Sequence, residues 1–217
     1  MVAIHRDSKE LCAKILYLGP KFAGKTTNLR SLFKLSSEAI QTGTHHLGGS
    51  EDSSAFFDFI PLSAGKVVER DLKLHIFAFD LKLPLEALRK ILLTEVDGFV
   101  FVADSRLERL LDNRESLELA HFFFKEEGYL LSELPHVIQF NKRDEKMTIP
   151  LSIMSRELNP YFAPEMESVA LHSQGTLETL NLITRQIVDR LVPGYSYALP
   201  QDLTRHPLPH CEPEVRS

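Results

Sequence analysis

Eight consecutive residues, Gly19-Pro20-Lys21-Phe22-Ala23-Gly24-Lys25-Thr26, follow the pattern G-x-x-x-x-G-K-[ST]. Each fixed position has a chemical reason. Glycines let the backbone wrap close to a phosphate, and successive N–H groups at a helix N-terminus point at the anion. The Lys25 amine reaches the β- and γ-phosphates, and the Thr26 hydroxyl ligates a magnesium ion. The flanks suit this chemistry. An apolar run, Ile15-Leu16-Tyr17-Leu18, precedes the loop, and a helix-like segment beginning Thr27-Asn28-Leu29 follows it. Gly19, Ala23, Gly24, Lys25, Thr26 and Thr27 are therefore the expected phosphate contacts, with Thr26 also a metal ligand. The loop alone implies a nucleoside triphosphate and leaves the base open.

A second constellation decides the base. Asn141-Lys142-Arg143-Asp144 follows the apolar run His136-Val137-Ile138-Gln139-Phe140 and has the form N-K-x-D. A carboxylate at Asp144 can accept from both N1–H and the exocyclic amine of guanine, and adenine offers no such pair. Hydrogen bonds to charged groups are worth about 1.5–3 kcal/mol each, so two of them separate the bases by orders of magnitude. Asn141 is expected to brace the phosphate loop, and the stem of Lys142 to cover the base plane. Further on, Ser168-Val169-Ala170 stands where a backbone N–H, that of Ala170, would meet the guanine oxygen.

These loops need a scaffold. Strand-like runs at 11–18, 55–62, 71–79, 97–103, 135–140 and 166–170 alternate with helical patterns at 26–36, 86–95, 107–127, 150–158 and 176–191. Such alternation predicts an α/β fold around a mostly parallel sheet. Gly98–Ala103 carries no polar alternation, as expected of a strand covered on both faces. The runs 56–60 and 72–77, with Ser63-Ala64-Gly65-Lys66 between them, predict an antiparallel hairpin at one edge. Residues 1–192 are expected to form one domain. Residues 193–217, with five prolines, read as a poorly ordered tail, and 37–54 as a mobile loop. His45 and His46 lie in that loop without cysteine or spaced carboxylate partners, so they read as solvated histidines. Phe122-Phe123-Phe124 sits in a long amphipathic pattern and reads as core.

Composition narrows the classes. At 217 residues with 43% hydrophobic content, the chain can bury a sizeable core. A net charge of −5 leaves no electrostatic footprint for nucleic acid. Two cysteines suggest no disulfide framework, which points to a cytoplasmic setting, and no apolar stretch is long enough for an integral membrane segment.

With both motifs in view, the chain resembles the MglA branch of small Ras-like GTPases. The resemblance runs from about Lys14 to Leu191. It is carried by Lys14–Pro20, Gly24-Lys25-Thr26-Thr27-Asn28-Leu29, Phe56-Phe57-Asp58-Phe59-Ile60-Pro61-Leu62, Phe101-Val102-Ala103-Asp104-Ser105 and Asn141–Asp144. It implies a Ras-like P-loop NTPase with a six-stranded, mostly parallel sheet, one antiparallel edge hairpin and helices on both faces. It also implies GTP or GDP with Mg²⁺, a roadblock-type (MglB-like) regulator, and polarity or motility effectors, with recruitment to a cell pole.

The departures from that family fall on catalysis. The family carries arginine then threonine just before the FFDF strand, and this chain has Ser53 and Ser54. Ser54 keeps a hydroxyl for the magnesium, whereas Ser53 cannot replace an arginine. The family's P-G-Q element reads Asp80-Leu81-Lys82 here, so Lys82 occupies the place of the water-orienting glutamine. Ala78 stands where a magnesium-side polar group is usual. An arginine at the transition state is worth about 10³–10⁵ in rate. Unaided hydrolysis is therefore expected to be slow or absent. Three other readings stay open: a GTPase completed by a partner, a pseudo-GTPase scaffold without nucleotide, and a P-loop kinase or ATPase. The last leaves N-K-R-D without a role.

Overall fold

The computed structural model describes residues 9–36, 57–82, 86–201 and 203–205. Strand β1 (Glu10–Leu18) leads through the phosphate loop into helix α1 (Lys25–Leu35). Strands β2 (Phe57–Val67) and β3 (Arg70–Phe79) form the hairpin, followed by α2 (Glu86–Leu93). Then come β4 (Gly98–Asp104), α3 (Leu110–Glu126), β5 (His136–Asn141), α4 (Leu151–Leu158), β6 (Glu165–Glu167), α5 (Thr176–Leu191) and the two-residue β7 (Thr204–Arg205). The sheet order is β6-β5-β4-β1-β3-β2-β7. β1 pairs in parallel with β3 and β4, and β4–β5–β6 continue in parallel. The expected six strands and antiparallel edge hairpin are present, and β7 adds a short seventh.

Alternation along the central strands divides the core in two. Ile15, Tyr17, Val100 and Val102 face α1 and α5, packing with Leu29, Leu32, Ile183 and Ile187. Leu16, Leu18, Phe99 and Phe101 face the other helices, with Leu92, Phe124, Met154 and Leu158. β4 and β5 are buried at every position, which explains their unbroken apolar runs. Burial on both faces fixes the register, because a one-residue slip would exchange the two cores. The strand ends therefore carry their loops to fixed places. Within the aromatic triplet, Phe124 is fully buried, Phe122 is exposed, and the Arg89 guanidinium lies 4.0 Å from the Phe123 ring.

Two expectations need correction. The hairpin does not turn at Ser63–Lys66. β2 continues through these residues to Val67, with a register shift between Ser63 and Lys66, and the chain reverses at Val68 and Glu69, both left-handed (φ 46° and 63°). Ala64 and Val67 are fully buried, so their burial carries the strand onward, while Gly65 (φ 78°) absorbs the bulge. The second correction concerns the proline-rich segment after residue 192. Its described part packs against the sheet edge. Tyr197 and Leu203 are buried, the Tyr197 hydroxyl donates to the Ala64 carbonyl (2.7 Å), and β7 pairs antiparallel with Leu62 and Ser63 of β2. This pairing covers part of what would otherwise be an open edge strand. Residues 206–217, the 37–54 loop with His45 and His46, and Ser53 and Ser54 lie outside the described residues.

Candidate nucleotide-binding site

At the carboxyl end of β1 the backbone leaves no room for side chains at two positions. A Cβ on Gly19 (φ 138°) would stand 2.2 Å from the Val102 carbonyl oxygen, and one on Gly24 (φ 104°) 2.2 Å from Asn141 Nδ2. Only glycine fits either place. The Gly24 carbonyl accepts the Asn28 backbone N–H (2.9 Å) and its side-chain amide (3.0 Å), which anchors the start of α1.

Lys25 is almost fully buried, and its Nζ donates to the carbonyls of Gly19 (2.7 Å) and Pro20 (2.8 Å). Burial pulls its pKa down to about 8, against the opposing pull of Asp80 and Asp58. The amine is thus held under the loop, close to neutrality at mildly basic pH. A nearby anion would restore its full charge. Thr26 Oγ1 donates to Asp58 Oδ2 on β2 (2.5 Å), so the hydroxyl and a carboxylate converge beside Lys25.

Asn141 links the two loops. Its Nδ2 donates to the Ala23 carbonyl (2.8 Å), and its Oδ1 accepts from the Ala170 N–H (2.9 Å) and the Ser168 hydroxyl (3.1 Å). Asn141, Ala23 and Ala170 are all buried. The Ala170 N–H, the donor expected to meet guanine, is thus engaged by Asn141 in this arrangement. Beyond the bridge opens a cavity of about 300 Å³ lined by Phe22, Gly24, Thr27, Lys142, Asp144 and Ala170, among others. Asp144 is exposed on its rim.

Lys142 (φ 64°) reaches back to Asp104, where its Nζ lies 2.8 Å from Oδ2. Asp104 is fully buried at the end of β4 and also accepts from Arg106 Nε (3.0 Å) and Nη2 (2.8 Å). Burial would raise its pKa, but the hydrogen bonds from Arg106 and Lys142 prevail and hold the carboxyl below the ordinary range. Arg109, ion-paired with Asp104 at 3.6 Å, donates from Nη2 to the Lys21 carbonyl (2.7 Å) and so ties the phosphate loop to the same carboxylate.

The side expected to perform catalysis is arranged differently. Leu81 is buried with Phe79 and Leu92 in the second core, so its side chain fills the interior. The Lys82 N–H donates to Asp80 Oδ1 (3.0 Å), and its exposed amine lies 3.4 Å from Glu115 Oε2 on α3. The structure therefore gathers Gly19, Ala23, Gly24, Lys25, Thr26, Thr27, Asn141, Lys142, Asp144 and Ala170 around one end of the sheet. Lys82 is turned to α3.

A nucleoside di- or triphosphate with magnesium suits these residues. Glycines at Gly19 and Gly24 keep the loop backbone bare, Lys25 supplies a buried cation, and the Thr26 hydroxyl with the Asp58 carboxylate forms a hard oxygen pair of the kind magnesium takes. Among the described residues no group of three or more His, Cys, Asp and Glu side chains could hold a metal by itself. Sequence reasoning missed Asp104, Arg106, Arg109 and Phe22 as parts of the site. Asp104 was legible only as part of the Phe101–Ser105 run that carries the family resemblance. Its cationic partners come from other elements, and their spacing carries no motif.

No family model matches the chain. A curated relative does: the mutual gliding-motility protein MglA of Myxococcus xanthus (strain DK1622) is 36% identical over 194 residues, spanning 89% of this chain and all of the relative. No helix among the described residues is long and apolar enough to cross a membrane. A loop with bare glycines over a buried lysine, an N-K-x-D loop locked to it by one asparagine, and a similarity running the full length of that relative agree: the chain belongs to the MglA family of small Ras-like GTPases.

Proposed function

We propose that this protein is a guanine-nucleotide switch that holds GTP or GDP with Mg²⁺, hydrolyses GTP slowly on its own, and acts through protein partners in cell polarity or motility. The observation that carries the nucleotide reading is the Asn141 bridge, which locks the phosphate loop and the N-K-x-D loop around one cavity. Gly19, Ala23, Gly24, Lys25, Thr26 and Thr27 take the phosphates, Lys142 and Asp144 take the base, and Thr26 with Ser54 holds the metal. The Ala170 N–H reaches the base only by sharing its bond with Asn141. The motility assignment rests on the similarity to the mutual gliding-motility protein MglA.

Slow hydrolysis follows from the groups at the usual catalytic positions. Ser53 has no guanidinium. Lys82 has no amide to orient a water, and its amine lies near Glu115. A roadblock-type regulator of the MglB kind is the partner that would supply what is missing. The bound nucleotide contributes the γ-phosphate that distinguishes the two states of a switch. The chain's own residues bind it, exclude water from Lys25 and fix the base.

Calorimetric titration of GDP and ADP tests the reading. The protein is expected to bind GDP at least a hundredfold more tightly than ADP. Lys25→Ala should abolish binding, and Asp144→Asn should weaken GDP selectively. Equal affinities for the two nucleotides, or unchanged binding in both variants, would sink the reading. A phosphate-release assay with and without a roadblock protein tests slow turnover, and fast release by the protein alone contradicts it.

A further inference from the structure

Phe22 is placed at a cost that folding alone does not explain. The turn from Pro20 to Ala23, closed by the Ala23 N–H on the Pro20 carbonyl (3.2 Å), puts Phe22 at its third position with φ 66°. That conformation suits glycine or asparagine, and a bulky side chain there is an outlier. The ring is not repaid by packing: Phe22 is 73% exposed, in contact with the Lys21 amine at 5.2 Å from its centroid. Strain at an exposed aromatic calls for a role outside the core. The cavity supplies one, because Phe22 forms a wall of the same space that Lys142, Asp144 and Ala170 line from the base loop. The loop itself is fixed from behind by Arg109, through the Lys21 carbonyl, and by Asn141, through that of Ala23.

We propose that Phe22 is a nucleotide-gripping residue that lays its ring against the base and sugar of the bound nucleotide. This rests on the nucleotide reading above and deepens it. Asp144 reads the base edge, whereas an aromatic ring meets a face, which every purine presents. Phe22 therefore supplies affinity without discrimination. Base–aromatic contacts removed by alanine substitution correspond to losses of about five- to hundredfold in affinity.

The test is calorimetric titration of GDP and ADP, after removal of any carried nucleotide, into the wild-type protein, Phe22→Ala, Phe22→Gly and Phe22→Tyr, with thermal melts of each nucleotide-free protein. The expected result is a five- to hundredfold weaker GDP affinity in Phe22→Ala and Phe22→Gly, and near-wild-type affinity in Phe22→Tyr. Phe22→Gly should also melt at or above the wild-type temperature, because glycine relieves the left-handed strain. Weaker binding by a protein that is no less stable is an outcome that a purely structural role would not give. GDP affinities within twofold of wild type in both small variants overturn the proposal and leave the guanine reading standing. That outcome also covers a ring serving only as an anchor for a protein partner. Wild-type binding of ADP in preference to GDP, weakened by Phe22→Ala, keeps the ring contact and overturns the guanine reading. A wild-type protein that binds neither nucleotide overturns both.

Discussion

Replacing Asn141 by alanine removes the joint between the two loops, and the cost can be worked from its bonds. The Ala23 carbonyl loses the 2.8 Å bond from Nδ2, and the Ala170 N–H loses its 2.9 Å acceptor. Both residues are buried, and because Asn141 and Ala170 also line the cavity, water entering there makes the following sum an upper bound. The Ser168 hydroxyl can rotate to another acceptor and is left out of the sum. An unsatisfied buried backbone group costs about 1–3 kcal/mol, so two of them give about 2–6 kcal/mol. For a domain of this size each kcal/mol lowers the melting temperature by about 2–4 °C, so a central loss near 4 kcal/mol corresponds to about 8–16 °C. Asn141→Asp should be no better, because it sets a carboxylate oxygen against the Ala23 carbonyl. The assay is thermal melting by circular dichroism without nucleotide, paired with GDP titration. Since the bridge positions both loops, GDP affinity should fall along with stability. An Asn141→Ala protein that melts within about 2 °C of wild type and binds GDP normally would refute the account of the bridge.

Three further outcomes follow from two single groups. Lys25 titrates at about 8 in the free protein, depressed by burial, against 10.5 for the ordinary amine. Between these values the unfolded chain binds the proton and the folded one does not, so nucleotide-free stability should rise with pH from about 8 to 10.5. Bound phosphate favours the ammonium, so GDP affinity should be flat below pH 8 and fall above it, by at most about tenfold per pH unit. Titrations at pH 7, 8 and 9 read this, and affinity that rises through the interval contradicts it. Tyr197→Phe removes the 2.7 Å bond to the Ala64 carbonyl, and burial holds the phenol protonated well above its ordinary range, so the donor persists at basic pH. A loss of about 1–2 kcal/mol, or about 2–8 °C in melting temperature, is expected. An unchanged melt would mean that the segment after α5 does not secure the β2 edge.

The parts of the fold legible in the sequence were those with one dominant cause. β4 and β5 showed as apolar runs because both faces are buried, and α5 showed as the helical pattern at 176–191 because one face, with Leu180, Ile183 and Ile187, meets the sheet. The phosphate loop showed because Gly19 and Gly24 admit no other residue. What misled was local composition overruled by burial. Gly65-Lys66 read as a turn, but Ala64 and Val67 bury themselves on either side and push the reversal to Val68–Glu69, which carries no turn signature. The proline-rich segment read as loose, although Tyr197 and Leu203 find places against β2. Leu81, aligned with the glycine of the family's P-G-Q element, turns its side chain into the core. Asp104 was visible as part of the Phe101–Ser105 run, but its role was not. Its role depends on Arg106, Arg109 and Lys142 meeting at one strand end, which only the folded chain brings about.

On the reading proposed above, one cavity holds a guanine nucleotide under the Asn141 bridge, with little turnover. Chromatography of whatever small molecule is released when the purified protein is denatured tests it most directly. A guanine nucleotide near one equivalent per chain is the expected result, with GTP prominent beside GDP. Adenine nucleotide in its place, or none recovered from a protein that also fails to take up added GTP, would contradict it.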